Sequence, residues 1–212
     1  KFGASLSGGY GATSGAVTSG AVALTLTAWV KTTATGFQIA AHRSDVWLGS
    51  TGGNAAAGWG GGSIATTTAI NDGAWHHLEI SGSAAGAQVT VDGVVAGSSG
   101  TAISSAGVAT SGIVGAGSFR PVASGYEWTG EVDEVALFST ALHSGGFTRP
   151  TAAFGGSEAG MVGLWHLDSA GTDSFVPDTT APSLTSPTAT QTGSTTASGT
   201  VSTDEGNGTL YR

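Results

Sequence analysis

Apolar residues fall in short runs bounded by glycine, serine and threonine, and in several runs they alternate with polar neighbours. Residues 21–30, AVALTLTAWV, carry Val22, Leu24 and Leu26 at every second position. That is the period of a half-buried strand. Ala28 to Val30 closes the run, with Trp29 expected to pack in the core as its aromatic anchor. A second pattern runs from Gly73 to Val95, where the apolar stretches Trp75 to Ile80 and Gln88 to Val91 are parted by the turn-prone Ser81 to Ala87. Val89-Thr90-Val91 alternates and meets Asp92-Gly93, a dipeptide suited to the type I′ hairpin because both central residues need φ > 0. The stretch therefore predicts strand, loop, strand, tight turn, strand. Shorter strands are expected around Phe2 and Leu6, over residues 36–41 and 46–48, around Ile113-Val114, within 130–142 and over 161–168. Residues 51–62 read as a glycine-rich loop carrying Trp59.

Four of these stretches, in this order, carry a family resemblance. They are the small F-x-x-x-L start, the strand ending Ala28-Trp29-Val30, the Trp75-His76-His77 run leading to V-T-V-D-G, and residues 130–142, GEVDEVALFSTAL. Together they resemble laminin G-like domains, within the wider group of concanavalin A-like sandwiches. The resemblance implies an all-β fold of two antiparallel sheets in a jelly roll, with a short helical turn near Thr140 to Phe147. It also implies structural roles for His76 and His77. Residues 161–168, MVGLWHLD, resemble a strand that lies ahead of the sandwich in many members, so here it either completes this domain or belongs to a neighbouring repeat. The scaffold is shared by lectins, adhesins, enzyme accessory domains and virion proteins, so fold alone does not assign function.

Composition narrows the field. The 37 glycines among 212 residues fit long loops between short strands, leaving a lean core. With no cysteine there are neither disulfides nor thiolate metal sites. A formal charge of −8 with only six Lys plus Arg argues against nucleic acid or anionic membrane as partners. No apolar run approaches the about 20 residues a membrane helix requires.

The chemistry is tested first on Glu131, Asp133 and Glu134. Glycosidases on the same sandwich carry alternate acids on one strand, where side chains i, i+2 and i+4 share a face. The position four after Glu131 is Val135 and the next is Ala136, while strict alternation turns Glu134 to the other side. The second carboxylate is missing, so no catalytic residue is expected and the chain reads as a non-enzyme. Asp133 matches a place where such sandwiches hold a structural calcium among backbone carbonyls. It reads either as that ligand or as a buried hydrogen-bond acceptor. Ligand-rim candidates are Arg43, Asp45, Trp47, Trp59, Tyr126 and Trp128. The tetrapeptide 42–45 is either a solvated hairpin tip or part of that rim. Trp59 either plugs the core edge or offers a stacking surface.

Residues 175–182 carry a proline-rich linker pattern, dividing a jelly-roll domain of residues 1–174 from residues 183–212. The latter resemble the first strands of an immunoglobulin-like or fibronectin type III-like repeat, too short for a sandwich of about 100 residues. Thr209-Leu210-Tyr211 reads as a strand just begun, so the chain is expected to be a piece of a longer bacterial surface or phage virion protein. Two functions follow from the resemblance. One is an extracellular, cell-surface or virion module binding carbohydrate or a cell-surface receptor; the other is a structural or decoration domain with no small ligand.

Overall fold

The computed structural model describes residues 4–7, 23–43, 46–103, 115–116, 126–167, 184–191 and 197–203, with 4–7, 43, 115–116, 184–191 and 197–203 described as backbone only. It divides into two units, Lys1–Val176 and Pro177–Arg212. In the first unit the strands are β1 (Ala4–Ser7), β2 (Leu24–Lys31), β3 (Gln38–Arg43), β4 (Val46–Thr51), β5 (Asn54–Trp59), β6 (Gly62–Ala69), β7 (His76–Ser83), β8 (Gly86–Val91), β9 (Val94–Ser99), β10 (Gly115–Ala116), β11 (Thr129–Phe138) and β12 (Met161–Trp165). One sheet runs β1-β11-β2-β7-β8-β9, with β12 also pairing β11, and the other runs β10-β3-β4-β5-β6. The fold is all-β, an antiparallel two-sheet jelly-roll sandwich, and no helix occurs among the described residues. β12 belongs to the first sheet, where Trp165 pairs Val135 and Met161 pairs Phe138, so the MVGLW strand completes this domain.

Alternation builds the core. Leu24, Leu26, Ala28 and Val30 of β2 and Leu78 and Ile80 of β7 point inward, where they join Val46, Leu48, Ala57 and Ile64 of the second sheet. The Asp92-Gly93 turn has φ values of 52° and 81°, the left-handed pair that a type I′ hairpin requires. The preceding loop is shorter than expected. β7 continues to Ser83 and β8 starts at Gly86, leaving only Ala84 and Ala85 between them. The glycine-rich residues 51–62 are strand rather than loop over 54–59, flanked by tight turns at Gly52-Gly53, both at positive φ, and at Gly60-Gly61. Ala55, Ala56 and Ala57 are buried there, so small side chains mark close packing instead of exposure.

Trp29 departs from its expected place. Its neighbours Ala28 and Val30 face the core, so pleating turns the indole to the outer face, where it lies half-buried with its ring 5.4 Å from that of His77. That outer face is itself covered. Residues 139–160 cross it as a strap, and Thr25, Thr27, Glu79 and Ser81, all on outward positions, are buried beneath. The helical turn expected at Thr140 to Phe147 does not form, because its N–H groups bond to the sheet. Leu142 N–H donates to Thr25 Oγ1 at 2.9 Å, His143 N–H to Ser81 Oγ at 3.3 Å, and Phe147 N–H to the Gly93 carbonyl at 2.8 Å.

β11 contains a bulge between Asp133 and Ala136, with Glu134 at φ 49°. Val132 and Val135 both reach the inner core, so two residues stand between successive inward positions. Glu134 is thereby removed from the strict alternation expected of it. In the second unit, β13 (Leu184–Gln191) and β14 (Ala197–Thr203) form one antiparallel hairpin, which two strands alone do not assign to a particular β module. The linker residues 175–182 and the strand expected around Ile113-Val114 lie outside the described residues.

Candidate functional site

An aromatic ridge stands on the outer face of the five-stranded sheet. On β4, Val46 and Leu48 point inward, which sends Trp47 outward. Its register partner on β5 is Gly58, where any Cβ would collide with the indole, so the ring lies directly on the sheet. Phe37, immediately before β3, meets Trp47 edge-on with centroids 5.0 Å apart, and Tyr126 meets Phe37 edge-on at 5.1 Å. The Tyr126 carbonyl accepts the Ile39 N–H at 2.9 Å, which fixes that ring beside β3. Phe37 is 37% and Tyr126 43% exposed, and Trp47 is half-buried.

Of the rim candidates, the fold brings Trp47 and Tyr126 together and adds Phe37, which no motif marks. The available signal was an aromatic directly ahead of the strand that pairs with Trp47. Trp59 and Trp128 are not on a rim. Trp128 is 0% exposed inside the sandwich, and Trp59 is 7% exposed with Nε1–H donating to the Ala102 carbonyl, which makes it the core plug. Arg43 ends β3 as backbone, and its side chain and Asp45 lie outside the described atoms.

A second feature lies where the strap crosses the seven-stranded sheet. Trp29, Trp75, Asp133, Arg149, Pro150 and Thr151 line a cavity of about 310 Å³. Arg149 donates to Asp92 Oδ1 at 2.6 Å and holds its guanidinium carbon 5.2 Å over the Trp29 ring. The strap is also held by an imidazole–carboxylate pair. His143 Nδ1 lies 2.9 Å from Glu79, which is 2% exposed, and its ring stacks on Phe147 at 3.7 Å. Burial pushes the Glu79 carboxyl up from its ordinary range, with His143 opposing.

His76 Nδ1 meets Asp92 Oδ2 at 2.8 Å across the hairpin, and Nε2 meets Asp72 at 3.1 Å. Burial acts to lower the His76 pKa, but the bonds and charges of Asp92 and Asp72 outweigh it and raise it above the ordinary 6.5. For Asp92, burial raises the pKa, while the His77 N–H, His76 and Arg149 together bring it below 3.8. The sign of the linkage follows. The His76 contribution to stability is complete below pH 6.5 and is lost as pH rises through the higher folded value. The Asp92 contribution is present above pH 3.8 and is lost as pH falls through the lower folded value. Urea unfolding across pH should therefore show a decline above pH 6.5 that His76→Gln flattens. An unchanged profile in the variant would assign the decline elsewhere.

The acidic strand holds no convergent pair of free carboxylates. Glu131 bonds Lys31 Nζ at 2.8 Å. Glu134, buried, accepts the Phe154 N–H at 3.0 Å and lies 2.8 Å from His166 Nδ1. Asp133 is 1% exposed and its Oδ1 accepts the Glu134 N–H at 2.8 Å. No group of three His, Cys, Asp or Glu converges among the described residues. A calcium shell needs six to eight oxygens, so at Asp133 backbone carbonyls and hydroxyls rather than a cluster of carboxylates would have to supply most of it.

A two-sheet antiparallel sandwich with an outward aromatic ridge and a strapped outer face defines a class of β-sandwich module with lectin-like architecture. The chain belongs to the Laminin_G_3 family of the concanavalin A-like lectin/glucanases superfamily, which matches residues 6–145. No curated protein matches it. Among solved structures, it is similar to a candidate carbohydrate-binding protein from Bacteroides ovatus ATCC 8483 at TM-score 0.61 and 13% identity, covering 76% of this chain and 50% of that one. This chain thus spans half the length of that relative, and at such identity the likeness shows the fold. The LG4-5 domains of mouse laminin α1 align at TM-score 0.43 and 17% identity, covering 73% of this chain and 48% of that one. A SAP-like pentraxin from Limulus polyphemus aligns at TM-score 0.45 and 17% identity, covering 59% and 67%.

Proposed function

We propose that the first unit is a non-catalytic binding module that recognises carbohydrate, on its own or on a cell-surface receptor, as part of a bacterial surface or phage virion protein. The observation that carries this reading is the Phe37–Trp47–Tyr126 ridge. Three rings meet edge-on through Phe37 and leave their outer parts in water, with the Trp47 indole lying over Gly58. Amphipathic rings of this kind cover the C–H face of a sugar while polar rims bond its hydroxyls. A glycan array probed with the wild-type protein, Trp47→Ala and Tyr126→Ala tests it. A bound glycan should lose roughly tenfold or more in affinity in each variant, the size of a hot-spot truncation. Binding that ignores both variants, or no glycan bound at all, would overturn the assignment.

Burial of Trp59 and Trp128 supports the second reading, a structural or decoration domain, because it removes two of the three candidate indoles from any rim. An array blank for every glycan, with the protein correctly folded, is the result that favours it. The non-catalytic part of the proposal rests on β11. Val135 and Ala136 are buried where a second acid would stand, and Glu131 is tied to Lys31. Incubation with β-glucans should release no reducing sugar; release abolished by Glu131→Gln would reverse that conclusion.

A further inference from the structure

We propose that the cavity beneath the strap is a second binding site, specific for an organic ammonium group such as a quaternary or methylated amine. It lies on the outer face of the seven-stranded sheet, apart from the ridge on the other sheet. Two indoles, Trp29 and Trp75, line it, and the negative face of an indole attracts a cation more strongly than any other side-chain ring does. Asp133, 1% exposed, adds a carboxyl group to the same wall. The protein already seats a cation of its own here, since the Arg149 guanidinium carbon stands 5.2 Å over Trp29. That arginine comes from the strap and is 44% exposed, so it occupies the ring as a competitor rather than as a buried fixture.

The remaining lining, Pro150 and Thr151, brings no charge. An anionic ligand would approach Asp133 and also Asp92, which has already taken Arg149 Nη1. The volume of about 310 Å³ sits at the small end of ligand pockets, enough for an ammonium head and a short stem. The formal charge of −8 attracts cations at long range.

Calorimetric titration with choline chloride, with its neutral tert-butyl isostere and with glucuronate tests the proposal. Choline should bind saturably, and the neutral isostere roughly tenfold or more weaker, because the attraction is to the charge. Trp75→Ala and Asp133→Asn should each weaken choline, and Asn keeps the oxygen that accepts the Glu134 N–H, so the bulge is preserved. Arg149→Ala should strengthen choline several-fold by freeing the Trp29 face, a gain that a misfolded variant cannot produce. Trp47→Ala should leave choline binding unchanged, which separates this site from the ridge. Free trimethyl-lysine, titrated in parallel, distinguishes a peptide source of the ammonium from a small-molecule one. Equal binding of the isostere, preference for glucuronate, no saturable choline binding, or loss of choline in Arg149→Ala would each overturn the assignment.

Discussion

Trp128→Ala is expected to lower folding stability by about 3–5 kcal/mol, the range for truncating a fully buried large aromatic. Trp128 is the largest fully buried side chain among the described residues, and the core cluster it belongs to is built mainly of Leu, Val, Ile and Ala, with Trp59 and Trp165. Such small neighbours close only part of the way over a hole of that size, so the cavity remains. A domain whose whole margin is about 5–15 kcal/mol loses a large part of it. Trp47→Ala, half-buried on the outer face, should cost distinctly less. The pair of variants separates scaffold from site: one should unfold at lower urea and the other should lose its ligand. A shift for Trp128→Ala worth less than about 1 kcal/mol would mean the ring is not held in the core as described.

Gly93→Val should be the most damaging change at a turn. Gly93 adopts φ 81° in the type I′ hairpin, a conformation that costs an L-residue about 1–2 kcal/mol and a β-branched one more. A Cβ there would also collide with the Phe147 carbonyl, while the Gly93 carbonyl accepts the Phe147 N–H. The variant must therefore distort the hairpin or release the strap. Limited proteolysis should cut within residues 139–160 before the sheets unfold, alongside a loss of about 2 kcal/mol or more. Gly60→Ala is the control, since nothing lies within 4 Å of its added carbon. If both variants resist protease equally, the strap is not held through this turn.

Much of the sandwich could be read from alternation. Leu24 and Leu26, the V-T-V-D-G hairpin and the strand through Val132 each carry a period or turn signal that survives into the fold. What could not be read shares one cause: it depends on contacts distant in sequence. Trp29 looks like a core residue because apolar neighbours flank it, and only the strap, over a hundred residues later, gives its outward face something to pack on. β5 looks like loop because alanine and glycine carry little strand signal, although their small size is what lets the layers approach. The Glu134 bulge leaves no mark in the pattern, so strict alternation misplaces that carboxylate. Within the ridge, Trp47 and Tyr126 were legible as aromatics near turns, but Phe37 joins them only through pairing of β3 with β4.

The pairing of β11 has a consequence for how a longer chain could carry this unit. β1 bonds to residues 129–132 of β11 and β12 to residues 135–138, while β2 occupies the opposite edge. Both run antiparallel to β11, so they lie end to end, with Ala4 opposite Val132 and Trp165 opposite Val135. Three strand residues span about 10 Å. The polypeptide thus enters and leaves the sandwich at nearly one place. A unit of that kind can be set into a surface loop of a host domain, or re-cut elsewhere and rejoined between β12 and β1, with little rearrangement of either sheet. Tension through the two flanks would peel β1 and β12 from a single strand instead of shearing the layers.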